Sequence, residues 1–179
     1  MKKKCFLKLV IIGDSGVGKT SLIQQYCKGK FIQQFKPTIG ADFCNKELVF
    51  EDQVVTAQIW DTAGQERFQS LGYAFYRGAD CCVLVFDITD QKSFENLDKW
   101  KSSFVLHGQP KDPSSFPFIL FGNKADLTEE RKVDGSKALA WSKQYDIPYV
   151  ETSAKSNLNV EEAFQKIVEL GIKNDENGR

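Results

Sequence analysis

The sequence predicts an α/β fold in which a six-stranded, mostly parallel sheet with one antiparallel edge strand is covered by helices on both faces. Short apolar strands alternate with amphipathic helical segments along the 179 residues, which is the pattern of a sheet packed between helices. One pair of strands is separated only by the polar turn Glu51-Asp52, and so short a connection makes that pair antiparallel. A chain of this length is expected to form one domain with a sizeable core.

The elements follow in order from apolar runs and their period. In the hairpin, Val55, Ala57 and Ile59 alternate with polar or aromatic neighbours, which is typical of a half-buried strand. The seven residues from 173 to 179 contain no apolar side chain, so a flexible tail is expected to start at 174–179. Strands are predicted over about 6–12, 41–50, 53–60, 82–86, 118–121 and 149–151, and helices over 19–29, 93–104, 133–145 and 160–172.

Composition excludes several classes of function. Lys plus Arg and Asp plus Glu both total 24, so the basic excess that marks nucleic-acid binding is missing and no nucleic-acid partner is expected. No apolar run approaches the roughly 20 residues that span a bilayer. The five cysteines form no C-x-x-C pair, which argues against a zinc site or a disulfide scaffold. We expect a reduced, soluble, intracellular domain.

The segment from Gly13 to Thr20 matches the phosphate-loop pattern GxxxxGK[ST]. Glycines let backbone N–H groups point at phosphate oxygens, and the following helix turns its N-terminus towards the anion. Lys19 is suited to the β- and γ-phosphates and the Thr20 hydroxyl to Mg²⁺. The alternative, a chance glycine turn, fits poorly between a strand and a helix. The expected phosphate-binding residues are Ser15, Gly16, Val17, Gly18, Lys19, Thr20 and Ser21.

A second motif, Trp60-Asp61-Thr62-Ala63-Gly64-Gln65-Glu66, begins where a predicted strand ends. Asp61 is placed to hold Mg²⁺, through water, because Mg²⁺ keeps part of its hydration shell. Gly64 lets its N–H approach a γ-phosphate, and Gln65 is suited to orient an attacking water. Taken alone, Asp61 could equally be a turn residue at a strand end.

The segment Asn123-Lys124-x-Asp126 indicates which base is bound. A carboxylate accepts two hydrogen bonds, which fits the N1–H and exocyclic amine of guanine but leaves Asp126 unpaired against adenine. Ser153-Ala154-Lys155, after the next strand, supplies a backbone N–H towards the guanine O6 and an apolar lysine stem over the ring. Each tripeptide is weak evidence, whereas four motifs in this order are strong.

With these motifs, the chain from about residue 8 to 172 resembles the small GTPases of the Ras superfamily. Residues 39–43, 60–68 and 75–79 resemble the Rab branch, and 70–87 and 111–118 resemble the late-endosomal and lysosomal Rabs most. The resemblance implies the P-loop small GTPase fold over residues 1–173 and GTP hydrolysis that is slow without an activating protein. It also implies a switch in vesicle trafficking at the late endosome, lysosome or phagosome, cytoplasmic and peripheral on the cytosolic membrane face.

The resemblance further assigns roles to particular residues. Thr38 becomes the switch threonine on Mg²⁺, and catalysis falls to Gln65, Thr38 and Lys19. Phe31 is the aromatic edge against the base, and Phe35 joins the nucleotide-binding set. The implied partners are an exchange factor, a GTPase-activating protein, a GDP-dissociation inhibitor and effectors.

Effectors are expected to read an exposed aromatic triad, Phe43, Trp60 and Phe75, whose alternative role is ordinary core packing. The membrane is expected to be reached through a prenylated tail absent from this chain, which has no cysteine after Cys82.

Three other functions stay open on the residues alone. The chain could be a small GTPase of another Ras-superfamily branch. It could be a P-loop metabolic kinase, but such an enzyme needs a lid or acceptor pocket for which the chain has no spare domain. It could also be a binding module without hydrolysis, against which Thr38, Asp61 and Gln65 argue.

Overall fold

The computed structural model describes residues 3–31, 41–62 and 72–177. Within them, six strands form one sheet in the order β2-β3-β1-β4-β5-β6. Only β2 and β3 pair antiparallel, and every other neighbouring pair is parallel. The predicted sheet is therefore confirmed. The strands are β1 (Lys3–Ile12), β2 (Ala41–Phe50), β3 (Gln53–Thr62), β4 (Cys81–Asp87), β5 (Phe118–Asn123) and β6 (Tyr149–Glu151).

Helices cover both faces of this sheet, as predicted. In the described residues they are α1 (Lys19–Lys28), α2 (Gln91–Glu95), α3 (Leu97–Gly108), α4 (Gly135–Gln144) and α5 (Val160–Asn177), with a 3₁₀ turn at Thr128–Glu130. β1 shows why two layers form. Leu7, Leu9 and Ile11 pack in the cluster shared with α1 and α5, whereas Val10 and Ile12 pack in the cluster shared with α2, α3 and α4.

Three of the predicted helices have wrong boundaries. The single helix expected over 93–104 is two helices that meet at Asn96, and the first begins at Gln91 because the Asp90 side chain caps it by accepting from the Lys92 N–H. In the same way, α4 begins at Gly135, two residues later than predicted, because the Asp134 side chain caps it by accepting from the Ser136 N–H.

The last helix continues to Asn177 rather than ending near 172. Apolar periodicity marks only the part of a helix that touches the sheet, and helix propensity is too weak a prior to locate where the polar residues beyond it leave the helix. Near that end, the Gln53 amide donates to the Glu176 carboxylate across 2.9 Å. A flexible tail starting at 174–179 stays a prediction, with residues 178 and 179 outside the described range.

The two adjacent cysteines of β4 are core residues. Cys81 and Cys82 are fully buried on opposite sides of the sheet, and burial raises the pKa of both thiols well above the usual range. Among the described helices, none is long and apolar enough to cross a bilayer.

Candidate nucleotide-binding site

Most of the predicted site residues that the structure describes gather at one edge of the sheet. Because β1, β3, β4, β5 and β6 run parallel, their carboxyl ends share that edge, where open α/β sheets bind ligands. The phosphate loop follows β1, Asp61 lies near the end of β3, and the two base-reading segments follow β5 and β6. Residues that are far apart in the chain are thus brought to one place.

The phosphate loop joins β1 to α1 and needs glycine at two places. Gly16 and Gly18 have φ angles of 83° and 101°, a region that side chains with a Cβ rarely adopt. A Cβ on Gly18 would also lie 2.2 Å from the amide nitrogen of Asn123. The loop therefore folds tightly against the end of β5. Ser15 and Ser21, the two predicted serines, are both partly exposed.

Lys19, the first residue of α1, is folded back into the loop. Its side chain is 6% exposed, and Nζ donates to the backbone carbonyls of Gly13 and Asp14 across 2.8 and 2.9 Å. Burial lowers the pKa of Lys19 to about 8, although the charges of Asp61 and Asp14 oppose the shift. The loop thus holds a buried amine whose two acceptors are neutral carbonyls.

Thr20 and Asp61 are in direct contact, although 41 residues separate them. The Thr20 hydroxyl donates to the Asp61 carboxylate, and Asp61 is only 6% exposed. The parallel register that pairs Ile11 with Asp61 delivers this carboxylate to the phosphate loop. Next to it, the Thr62 hydroxyl donates to the Ile11 carbonyl across 2.8 Å and fixes the end of β3.

Asn123 connects the base-reading side to the phosphate loop. Its amide nitrogen donates to the Val17 carbonyl across 2.9 Å, and its side-chain oxygen accepts from the Thr152 hydroxyl at 3.1 Å and the Ala154 N–H at 3.4 Å. The side chain is 2% exposed. Asn123 therefore holds together the phosphate loop, the end of β5 and the segment that follows β6.

Lys124 and Asp126, which follow β5, are also held by contacts with other side chains. Lys124 has a φ of 66°, and its ammonium pairs with the Asp87 carboxylate at 2.9 Å. The Asp126 carboxylate accepts from the Ser153 hydroxyl across 2.7 Å. Asp126 and Lys155 are both exposed, so their polar groups face the open side of the sheet edge.

Two further contacts of the site were not predicted from the sequence. Asp87 ends β4 and pairs with Lys124, and its position as a lone acid after a buried strand is the signal that could have found it. Gln25 of α1 donates to the Ala154 carbonyl across 2.8 Å. Nothing in the spacing of Gln25 predicts a contact 129 residues away.

Four predicted site residues, Phe35, Thr38, Gly64 and Gln65, lie outside the described residues. Phe31 is described and is half-buried, and its ring packs against the α1 and α5 side of the core. The predicted roles of these five residues stay predictions.

The aromatic triad forms one row of rings at the surface. The Trp60 ring contacts Phe43 at a centroid distance of 4.8 Å and Phe75 at 4.7 Å. Phe43 is 51% exposed, and Trp60 and Phe75 are partly buried. The row is therefore partly exposed and partly buried, since Phe43 lies at the surface whereas Trp60 also packs against the core cluster of α2, α3 and α4.

This fold and site define the class of P-loop nucleotide-binding proteins. A sequence model of the Ras family matches residues 8–173. The chain is 59% identical over 173 residues to Ras-related protein Rab-7a of Dictyostelium discoideum, covering 96% of this chain and 85% of that protein. It is 57% identical over 175 residues to the Ypt/Rab-type GTPase ypt7 of Schizosaccharomyces pombe, covering 97% and 85%, and 59% identical over 172 residues to Rab7 of Drosophila melanogaster, covering 96% and 83%.

The chain therefore belongs to the Ras family, and within it to the Rab branch. Proteins of this family bind guanine nucleotide and hydrolyse GTP, so this chain is a GTPase. The predicted resemblance and fold class are confirmed.

Proposed function

We propose that this GTPase is a switch that acts in traffic to the late endosome, lysosome or phagosome, on the cytosolic face of those membranes. Its GTP form recruits effectors, and hydrolysis to GDP releases them. The observation that carries the proposal is the convergence of the phosphate loop, Asp61 and both base-reading segments at one sheet edge. The similarity to relatives named Rab7 and ypt7 supports the membrane assignment.

The nucleotide phosphates lie in the loop from Gly13 to Thr20. Lys19 there exchanges its two carbonyl acceptors for phosphate oxygens, because an ammonium gains far more from an anion than from a neutral carbonyl. The N-terminus of α1 adds the favourable end of its dipole. Backbone N–H groups of the remaining loop residues and Ser21 complete this half of the site.

Mg²⁺ fits beside the phosphates. The Thr20 hydroxyl and the Asp61 carboxylate are hard oxygen donors that already touch, and Mg²⁺ is usually held by one or two such groups together with phosphates and water. When bound, the ion neutralises charge on the β- and γ-phosphate oxygens. Thr20 and Asp61 would hold the ion, Thr20 directly and Asp61 through water, and Thr38 would join them in the GTP form.

The base pocket is specific for guanine. Asp126 accepts from the N1–H and the exocyclic amine, and the Ser153 hydroxyl fixes its carboxylate in place. The Ala154 N–H, whose contact with the Asn123 oxygen is long at 3.4 Å, faces the guanine O6. The Lys155 stem covers one ring face and Phe31 lies at the ring edge. Lys124 is locked in position by its ion pair with Asp87.

Hydrolysis proceeds by direct attack of water on the γ-phosphate. Gln65 orients that water, and Lys19 stabilises the charge that develops on the phosphate oxygens. No arginine of the chain is assigned to the transition state, so unassisted turnover is slow, on the order of 10⁻⁴ s⁻¹ as for intrinsic Ras hydrolysis. An activating protein accelerates it, an exchange factor reloads GTP, and a GDP-dissociation inhibitor binds the GDP form.

Effectors bind the surface row of Phe43, Trp60 and Phe75. Aromatic side chains of this kind supply much of the binding energy at protein interfaces. The row begins on the antiparallel edge strand, and its middle ring stands on β3, one residue before Asp61. A partner seated on these rings therefore lies beside the segment that carries the metal ligand.

Two measurements on the purified protein test the proposal. The first is chromatographic analysis of the nucleotide released on denaturation, for which guanine nucleotide is expected. The second is phosphate release from GTP and from ATP, each with and without candidate phosphoryl acceptors. Slow release from GTP alone, independent of any acceptor, is expected. Acceptor-dependent turnover of ATP would instead support the P-loop kinase.

A further inference from the structure

The Asp14 carboxylate is a negative charge within the loop that is proposed to bind the negatively charged phosphates. It is the second residue of the phosphate loop, and its backbone carbonyl accepts from Lys19 Nζ across 2.9 Å. Its carboxylate is only a few bonds from that carbonyl. A carboxylate free to rotate there would pair with the Lys19 ammonium in place of the nucleotide phosphates, and would repel those phosphates as well.

Two neutral donors from outside the loop hold this carboxylate. The Asn96 amide donates to Asp14 Oδ2 and the Trp100 indole N–H donates to Oδ1, both across 2.7 Å. Each carboxylate oxygen therefore has its own donor, and the rotation of the group is fixed. Short bonds from N–H groups to a carboxylate are among the stronger hydrogen bonds in proteins.

The two donors are themselves rigidly placed. Asn96 is the junction between α2 and α3, and its backbone carbonyl accepts from the backbone N–H of Trp100 across 3.1 Å. Trp100 is 4% exposed and packs in the core cluster of α2, α3 and α4. The position of the Asp14 carboxylate is thus set by a helix junction on one face of the sheet.

We propose that Asn96 and Trp100 are positioning residues that hold the Asp14 carboxylate away from the Lys19 ammonium, so that Lys19 pairs with the nucleotide phosphates. This inference rests on the proposed placement of the phosphates in the loop. The charge of Asp14 already acts on Lys19, since it favours the charged amine against the effect of burial. Turning that carboxylate towards the amine would strengthen a competing ion pair.

The decisive variant is Asn96→Asp, which keeps the size of the side chain but replaces the donor by a carboxylate. We expect release of fluorescently labelled GDP to be about tenfold faster, because a hydrogen bond to a charged group is lost. Combining Asn96→Asp with Asp14→Asn reverses donor and acceptor. This pair is expected to restore the release rate to within about twofold of the parent, as coupled sites do in double-mutant cycles.

Trp100→Phe gives an independent measurement, since it removes only the indole donor and keeps a buried ring. Its matched control is Trp141→Phe, which removes an indole N–H bonded at 3.1 Å to the carboxylate of the exposed Asp98. Faster GDP release is expected for Trp100→Phe alone, and no further acceleration once Asp14→Ala has removed the carboxylate. A purely structural effect would instead add to that of Asp14→Ala.

Parental release rates in both Asn96→Asp and Trp100→Phe would overturn the inference, and so would failure of Asp14→Asn to restore Asn96→Asp. If Asn96→Asp does not fold, Trp100→Phe with its control decides. A parent protein that retains no GDP would overturn the proposed function and this inference with it. A parent that retains GDP, with variants that release it at the parental rate, would overturn this inference alone.

Discussion

The side-chain amide of Asn123 donates to the backbone carbonyl of Val17 across 2.9 Å and so ties the end of β5 to the phosphate loop. The oxygen of the same amide accepts from Thr152 and Ala154 after β6. One buried side chain thus joins the part of the site that holds phosphates to the two parts that read the base. Changes at Asn123 are therefore expected to affect both halves of the nucleotide.

Asn123→Asp removes the donor and sets a carboxylate oxygen against the Val17 carbonyl. Without the donor, the Val17 carbonyl and the new carboxylate oxygen are both left unsatisfied, which costs about 1–3 kcal/mol. GDP release is therefore expected to be about tenfold faster or more, and the Tm is expected to fall. The control is Asn159→Asp, whose amide bonds the Glu151 carbonyl at an exposed position. Equal rates in the two variants would contradict a linking role for Asn123.

Asp126→Asn is expected to exchange guanine for xanthine. An amide donates where the carboxylate only accepts, and xanthine has a carbonyl where guanine has its exocyclic amine. The side-chain oxygen that accepts from Ser153 is retained, so the loop is preserved. Competition between GDP and XDP for the variant measures the outcome, with Asp134→Asn as a control because asparagine caps α4 equally well. An unchanged preference for GDP would disprove base reading by Asp126.

Thr20→Asn is expected to weaken Mg²⁺–GTP more than GDP while leaving the protein folded. Asparagine is bulkier than threonine, and an amide oxygen in that place is a poorly positioned ligand for a small cation that demands regular geometry. The measurement is the ratio of GTP to GDP affinity at fixed Mg²⁺, repeated with a chelator. Equal losses for both nucleotides, or a ratio that the chelator does not change, would show that Thr20 is not the metal ligand.

Trp60→Ala is expected to weaken effector binding by about 2 kcal/mol, or roughly 30-fold, because a central aromatic anchor is lost. The release rate of GDP should stay within about threefold of the parent, since the Trp60 ring contacts Phe43 and Phe75 rather than the phosphate loop. Binding is measured with a fragment of a Rab7 effector, and Trp141→Ala serves as the control. Unfolding of Trp60→Ala would instead assign the ring to the core.

The sequence predicted those parts of the site whose chemistry requires neighbouring residue types. The loop from Gly13 to Thr20 is one case, because only glycines at the right spacing allow its φ angles and Lys19 must follow directly. Contacts such as those of Asn123 with Val17, 106 residues away, follow from strand order and register instead. No local pattern encodes them, and the same holds for the Asp14 carboxylate and Trp100.

Errors in the fold prediction have the same physical origin. Periodicity reports where a helix touches the sheet, so it located the packed part of α5 and missed its extension to Asn177. It also joined α2 and α3 across Asn96, because apolar residues on both sides of the break face one core cluster. A local side-chain cap at Asp90 decided where the first of them starts.

The pKa of Lys19 predicts how nucleotide affinity depends on pH. Burial lowers that pKa to about 8 in the free protein, and phosphate groups beside the ammonium must raise it in the complex. Binding therefore takes up a proton above pH 8. Affinity for GDP is expected to be constant below pH 8 and to fall above it, by up to about tenfold per pH unit.

The control is Lys19→Arg, whose guanidinium stays charged at every pH used. Any titration of the guanine base is common to both proteins. The difference between their slopes of GDP affinity against pH, from pH 7 to 9.5, therefore belongs to Lys19.

The stability of the nucleotide-free protein should change with pH in the opposite direction to its affinity for GDP. Between pH 8 and 10.5 the unfolded chain binds the proton that the folded chain has lost, so the contribution of Lys19 to the free energy of unfolding rises with pH. Equal GDP slopes for Lys19 and its arginine variant would mean that this ammonium does not bind the phosphates.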